Sequence, residues 1–387
     1  MKNTFDVIVI GVGSMGSAAC WYLAGRGYRV LGLEQFDIVH NHGSHTGQSR
    51  IIRKAYFEHS DYVPLLERAY ENWQTIEKET GATLYHQTGI VYFGPHHHET
   101  MKGVRNSAAL HHIRVDKLSR EETISQFPAF QIPKDFETLY EPIAGFVTPE
   151  RAIRVYTHEA VKIGAAIHTN EKVVSWRRSG STIEVETSNG KYQAGKLVIT
   201  SGSWTSQILP QLKPQLTVRK QMLAWVRPPR PDLFSLGRLP CWFIEDPDFG
   251  MLYGFPIVSE NPEGPVGLKL ARHFPGEIWD PDNFNYPNPQ AEKETLRYLL
   301  KKYIPAAGDQ IVETKPCLYT YSPDSNFIVD HLPGFGKQVA IACGFSGHGF
   351  KFASVIGEIL ADLAMNGTSG LPVEFLSLKR LDLSPSQ

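Results

Sequence analysis

Three places in this 387-residue chain carry residue types that could do chemistry. Near its start, "VIVIGVGSMG" sets Gly11, Gly13 and Gly16 behind a β-branched run and ahead of "SAACWYLAGRGY". That spacing lets the first glycine turn the chain, the second admit a pyrophosphate close to the backbone, and the third let helix pack on strand. Free N–H groups at the helix start then face the phosphates. Glu34 closes the next apolar run, 18 residues beyond Gly16, where it can accept from both ribose hydroxyls and repel a 2′-phosphate. Far downstream, "GFSGHGFK" again gives a glycine turn between a strand and a helix, with Lys351 at the start of that helix. The third place is "VETKPCLYTYSPD", which puts Cys317 well away in sequence from Cys20, Cys241 and Cys343 and ahead of a strand.

Charged residues add to these motifs. Lys269 lies in "GLKLA", where strand alternation would bury it, and a buried lysine without a partner is costly. Arg53, in "RIIRK", can hold a carboxylate in a bidentate fork, though taken alone it reads equally as a charge on a surface helix. Lys351 opposes the dipole of its helix and so calls for an anion that a ligand could provide. His273 could adjust a ligand's protonation or be a hydrogen-bonded structural residue. Cys317 alone reads as a small buried hydrophobe. The three histidines at 96–98 follow Pro95 in a polar stretch and read as solvated rather than as metal ligands.

The elements that must position these residues are legible in part. Phe5–Ile10 is a strand buried on both faces, "SAACWYLAG" a helix, and "RVLGLE" a second strand, which together make one βαβ unit. "HNHGSHTGQSRIIRKAY" is polar and glycine-bearing, with too little periodicity to be core. "TPERAIRVYTHEAVKIG" reads as a helix with Thr148 as N-cap, Pro149 first and Gly164 past the end. Short alternating strands follow, with Asn189-Gly190 as a hairpin turn. From about 217 to 316 the chain is rich in proline and aromatics and weak in helix pattern, so a mostly antiparallel sheet is expected there. "QVAIACGFSGHGFKFASVIGEILADLAMNG" then gives a strand, a turn and a helix closed by Asn366-Gly367. The expected fold is α/β with an α+β second domain. A Rossmann-like dinucleotide-binding domain comprises 1–86, 145–216 and 318–387, and an antiparallel-sheet substrate domain comprises 87–144 and 217–317.

Composition narrows the classes. With 42% hydrophobic and 20% charged residues and a formal charge of −1, the chain is neither disordered nor basic enough to favour nucleic acid or an anionic membrane. Four cysteines without C-x-x-C spacing argue against a disulfide framework or zinc site and fit a reducing cytoplasm. The first apolar run is too short and too early for a signal peptide, and no membrane-spanning run follows. A monomer with a small-molecule substrate is expected.

The fingerprint alone does not separate NAD from FAD. Two features favour FAD: the adenine-binding end is at the extreme N-terminus, and the second glycine turn comes more than 300 residues later. A flavin is long enough to reach both, and a second helix N-terminus would stabilise its reduced, anionic ring.

"GSHTGQSRIIRKAY", "LYGFP" with "GLKLARH", "PCLYTYSPDSNFIVD" and "GFSGHGFKFAS" together resemble the monomeric sarcosine oxidase and N-methyl-L-tryptophan oxidase family. The likeness runs from the fingerprint to about residue 365. It implies a D-amino-acid-oxidase-like fold, FAD linked covalently through its 8α-methyl to Cys317, and oxidation of a secondary amine with O2. It also implies that Arg53 and Lys351 grip the substrate carboxylate and that Lys269 activates oxygen. His273, Tyr253 and Tyr319 would line the substrate cavity, and Arg50 would lie close to the flavin. The backbone of Val173 would meet the adenine. The implied cofactor shell further takes in Ser14, Met15, Gln35 and Ser44, then Gly202 and Trp204. From the late turn it takes Gly344, Gly347, His348, Gly349 and Phe350 along with Lys351.

The family pattern "GSHHGDTR" is broken here by Thr46, Gln48 and Ser49, so a second histidine is missing. The products implied are an amino acid, formaldehyde and hydrogen peroxide. "VRKQMLAW" favours the N-methyltryptophan branch over the sarcosine branch. The competing readings are a glycine- or D-amino-acid-type flavoenzyme of the same fold, an NAD-dependent dehydrogenase, and a flavin-binding scaffold without activity.

Overall fold

The computed structural model describes residues 3–258, 264–273 and 276–381. The ends of the expected first domain, 1–2 and 382–387, lie outside the described residues.

Thr4–Ile10 is the central strand of an eight-stranded sheet. It runs parallel to Val30–Leu33 on one side and to Lys191–Ile199 on the other. Val339–Cys343 runs parallel beside the far end of Lys191–Ile199, so three parallel strands end together. Just past those ends lie Gly11, Thr200–Gly202 and Gly344, and the C-terminal edge of a parallel sheet is where such folds bind ligands. The helix Ser14–Gly25 leaves the first strand apolar on nearly every face. It therefore needs cover on all sides, and the helix Ala353–Asn366 supplies much of it. A methyl group built on Gly357 would come within 2.4 Å of the Ala18 side chain, so only a glycine lets these helices meet.

Among the described residues the second sheet has nine strands, and its pairings are antiparallel except Cys241–Asp246 against Ile90–Pro95. Leu268–His273, which carries Lys269 and His273, lies between Gly250–Gly254 and Thr217–Val226. The strand Ile311–Tyr321 pairs only with Thr217–Val226 among the described residues. As an edge strand it tolerates Pro316, whose missing N–H would break a ladder in the sheet interior.

Four expectations from sequence need correction. Cys317 does not precede a strand but sits within one, because the edge position accommodates Pro316 inside the strand. The segment 217–316 contains a helix, Gln290–Tyr303, whose Leu296, Leu299, Leu300 and Tyr303 are fully buried on one face. At about 1.5–3 kcal/mol per buried leucine, that face is ample to hold it against the sheet. The polar stretch judged unfit for the core is largely inside: His45, Thr46, Gln48, Ser49 and Arg53 are all buried, around the short strand Arg50–Ile52. Lys351 lies in a single 3-10 turn, Phe350–Phe352, that leads into the last helix rather than in the helix itself.

Thr148 begins its helix as expected, but its hydroxyl bonds Leu84 O at 3.3 Å instead of capping. His98 accepts from Thr100 N at the start of the helix Glu99–Leu110, and no group of metal-ligating side chains occurs among the described residues.

Candidate active site

One cavity of ≈ 400 Å3 runs from the first glycine turn to the second. Its size lies within the range of sites that enclose small molecules and cofactors. At its first end it meets Gly11, Gly13, Ser14, Met15, Glu34, Gln35 and Val173. In the middle it meets Ser44, Arg50, Gly202 and Trp204. At the far end it meets Gly344, Gly347, His348, Gly349, Phe350 and Lys351, with Arg53, Tyr253, His273 and Tyr319 facing them. Three expected residues stand behind this wall. Gly16 is under the turn, while Lys269 and Cys317 lie one layer back, adjoining the lining residues Arg50 and Leu318.

The two fingerprint glycines act differently. A Cβ on Gly16 would sit 1.9 Å from Gly11 O, so this glycine sets how closely helix and strand pack. A Cβ on Gly13 would meet no protein atom within 4 Å, although the residue lines the cavity. The backbone there is bare toward the space a pyrophosphate would take. Glu34 accepts from Val12 N at 2.9 Å and from Phe36 N at 3.2 Å. Burial raises its pKa to about 6 against the pull of those N–H groups. Each carboxylate oxygen keeps acceptor capacity for a ribose hydroxyl. His45 is buried with Nε2 unpartnered among the described residues, a polar atom free to meet a ligand. These features fit an adenine dinucleotide.

The segment that bears the arginines is fastened by two distant acids. Glu150, in the first turn of the helix Pro149–Lys162, accepts from Gly47 N at 2.6 Å and from Gln48 N at 3.0 Å. Glu141 accepts from Lys54 N at 2.6 Å and from Ala55 N at 3.2 Å. Between them, Arg50 donates to Ser49 O, Ser44 O and Thr46 O, and its Nη2 lies 3.3 Å from Cys317 Sγ. Burial raises the Cys317 pKa, while Arg50 and Lys269 oppose the rise. Lys269 donates to Ser49 O at 2.6 Å and to Ser49 Oγ at 3.1 Å, with its ammonium 4.4 Å from the centre of the Phe255 ring.

At the far end, Arg53 is fully buried and stacked at 3.9 Å on Phe57. Its Nη2 donates to both Glu58 oxygens, at 2.7 and 2.6 Å, while Nε has no partner among the described residues. Burial raises the Glu58 pKa, but Arg53, His348 and Lys351 outweigh it and hold the acid at about 2. Lys351 donates to His348 O at 2.6 Å. Burial and then Arg53 bring its pKa down to about 7, despite Glu58. His348 Nε2 faces Ser325 O at 3.0 Å and its Nδ1 faces the Tyr56 hydroxyl at 2.5 Å. A carbonyl can only accept, so Nε2 carries the proton and Nδ1 accepts from Tyr56. Burial pulls the His348 pKa to about 3, which suits that neutral form. Tyr253 and Tyr319 bring their hydroxyls within 3.4 Å of each other. A Cβ on Gly347 would strike the Tyr319 ring at 2.3 Å, so this glycine lets the late turn close over the tyrosine.

Sequence reasoning missed Glu58, Glu141, Glu150 and the aromatic wall of Phe57, Phe243 and Phe255. Phe243 and Phe255 sit in strand-like runs, where a cavity wall and a core face look alike. His45 lay in a quoted motif without being singled out. The acids carried no local signal at all.

Residues 6–363 match the family described as FAD dependent oxidoreductase. The chain is 36% identical over 388 residues to monomeric sarcosine oxidase of Streptomyces avermitilis, covering 100% of each. It is 32% identical to N-methyl-L-tryptophan oxidase of Yersinia pestis, covering 97% of this chain and 99% of that one. Among solved structures it resembles NikD, an amino acid oxidase of nikkomycin biosynthesis, with a TM-score of 0.85 at 24% identity, covering 97% of each chain. It also resembles L-proline dehydrogenase of P. horikoshii, with a TM-score of 0.83 at 23% identity over 97% of each chain. Those two likenesses concern the fold.

Proposed function

This chain belongs to the FAD-dependent oxidoreductase family, and on that premise we propose that it demethylates an N-methyl amino acid of the sarcosine or N-methyltryptophan type. The balanced reaction joins the N-methyl amino acid, O2 and water to give the amino acid, formaldehyde and hydrogen peroxide. The observation that carries this reading is the pair of buried cations, Arg53 and Lys351, at the far end of the one cavity that starts at the dinucleotide turn. FAD, when bound, supplies a two-electron acceptor that O2 can regenerate.

The protein's own groups divide the remaining work. Arg53 offers its free Nε–H and Lys351 a point charge to a substrate carboxylate, which fixes the amine toward the aromatic wall. A zwitterionic amine must lose its proton before its lone pair can assist C–H cleavage. His273 stands 6.1 Å ring to ring from Tyr319. Burial lowers its pKa, with Glu58 opposing and Lys351 and Arg53 adding to the effect, so it presents a neutral ring that does not hold the substrate amine in its charged form. Lys269 and Arg50 supply positive charge where oxygen gains electrons. Cys317 is the candidate attachment point for the 8α carbon of FAD, with Arg50 beside its sulfur favouring the thiolate.

The proposal extends to a monomer acting in the cytoplasm, with the cofactor and substrate domains divided as expected from sequence. Among the described residues, no helix is long and apolar enough to cross a membrane. Purified yellow protein given sarcosine or N-methyl-L-tryptophan in air should release peroxide and formaldehyde in equal amounts. Peroxide without formaldehyde would move the assignment to a different amine class.

A further inference from the structure

A buried lysine and a half-buried arginine share one oxygen in this site. Ser49 O accepts from Lys269 Nζ at 2.6 Å and from Arg50 Nη1 at 2.9 Å. Neither cation forms a salt bridge among the described residues. Ser49 follows a turn in which Gly47 and Gln48 have φ of 105° and 70°, and Gln48 is a residue type that rarely adopts this conformation. What fixes that turn is Glu150, itself buried, which reaches both of its N–H groups from the helix Pro149–Lys162. Trp225 Nε1 donates to Gln48 Oε1 at 2.7 Å and braces the same turn from the second sheet.

We propose that Glu150 is a positioning residue for Lys269. Its carboxylate fixes the Gly47–Gln48 turn so that Ser49 O receives Lys269 Nζ, and its negative charge favours the ammonium form. The groups around Lys269 leave this task to Glu150. Burial pulls the Lys269 pKa well below that of a free lysine, and the charge of Arg50 on the strand Arg50–Ile52 adds to the fall. Cys317 and Cys241 favour its charge only as thiolates, and burial raises both thiols, Cys241 to about 12. Phe255 offers a ring face. Among the described residues, Glu150 is the carboxylate that favours the charge of Lys269, and Gly47 N and Gln48 N both donate to it. A glutamine there has a single acceptor oxygen and no charge. It would loosen the turn and let the lysine lose its proton.

This inference rests on the reading of Lys269 as the cation that faces oxygen, and the experiment separates the two. The flavin-loaded Glu150→Gln enzyme is bleached anaerobically by substrate, and the return of yellow with O2 is then followed across pH. Bleaching should stay within about threefold of wild type, while recovery slows by at least about tenfold. The pH above which recovery fails should also move down by about half a unit or more. Unchanged recovery, or equal slowing of both steps with an unmoved pH profile, overturns the proposal.

If Glu150→Gln does not accumulate as folded protein, Glu150→Asp keeps the charge and should keep the pH midpoint at a reduced recovery rate. A moved midpoint there counts against the proposal. Lys269→Met tests the underlying reading by itself, since it should slow recovery far more than bleaching. Independently of oxygen, Glu150→Gln should lower the urea midpoint less in a Lys269→Met background than in wild type. Equal shifts in the two backgrounds would show that Glu150 does not act on Lys269.

Discussion

Arg53 spends its Nη2 on both oxygens of Glu58, at 2.7 and 2.6 Å, so the guanidinium offered to a ligand is already half engaged by a carboxylate five residues away in the chain. The acid makes a buried cation tolerable, and it competes with any incoming carboxylate for the same fork. Glu58→Gln should therefore bind a simple carboxylic acid such as methoxyacetate more tightly while destabilising the fold by about 3 kcal/mol. Spectral titration and urea unfolding report the two effects. Weaker carboxylate binding would mean that Glu58 orients Arg53 rather than competing for it.

Lys351 should make carboxylate binding depend on pH. Its pKa lies at about 7, so the ammonium that attracts a carboxylate is present below that value and lost above it. A bound carboxylate favours the protonated form, so binding takes up a proton. Affinity for methoxyacetate should fall as pH rises from about 6 to about 8, by an order of tenfold or about 1.4 kcal/mol. Lys351→Met should flatten that dependence. A slope that survives the substitution would assign the titration to another group.

Cys317 and Cys343 are both buried thiols, but only Cys317 has an arginine 3.3 Å from its sulfur. Acid precipitation should leave yellow in the pellet for wild type and for Cys343→Ala, and none for Cys317→Ala. Colour released to the supernatant by wild type would sink the covalent link while leaving FAD itself in place.

The two fingerprint glycines should fail in different ways. Gly16→Ala drives a methyl into Gly11 O and should cost folding outright, read as a large drop in Tm of the flavin-free protein. Gly13→Ala meets no protein atom, so the apoprotein should melt as before while FAD binds on the order of tenfold more weakly, about 1.4 kcal/mol. Equal melting losses in the two variants would contradict the division of roles.

The parts of this molecule that sequence made legible are those held by local rules. The first strand, its glycine turn and the following helix depend on neighbours within thirty residues or so, and their pattern is strong enough to be read directly. The arginine segment could not be read that way. His45 to Ala55 looks like solvated loop because its backbone N–H groups are met by acids 86 to 103 residues further along the chain. Lys269 was noticed because a lysine breaks its strand's pattern, whereas Glu150 sits where any helix welcomes an acid and so raised no question. The helix Gln290–Tyr303 was overlooked for another reason. Its spacing of Leu296, Leu299, Leu300 and Tyr303 is regular, but the proline-rich run ahead of it set the expectation for the whole segment.

The two fastening acids also have a consequence for the order of events in folding. Glu141 ends one strand of the second sheet, and Glu150 opens a helix packed on the first, so the clamp on residues 47–55 draws on both halves of the molecule. Contacts of such sequence separation form late, after the loops between them have been closed. A nascent chain can complete its first βαβ unit long before Arg50 and Arg53 take up their places. The clamp itself needs the chain only as far as Glu150, whereas the cavity it serves is completed when Lys191–Ile199 and Val339–Cys343 join the first sheet.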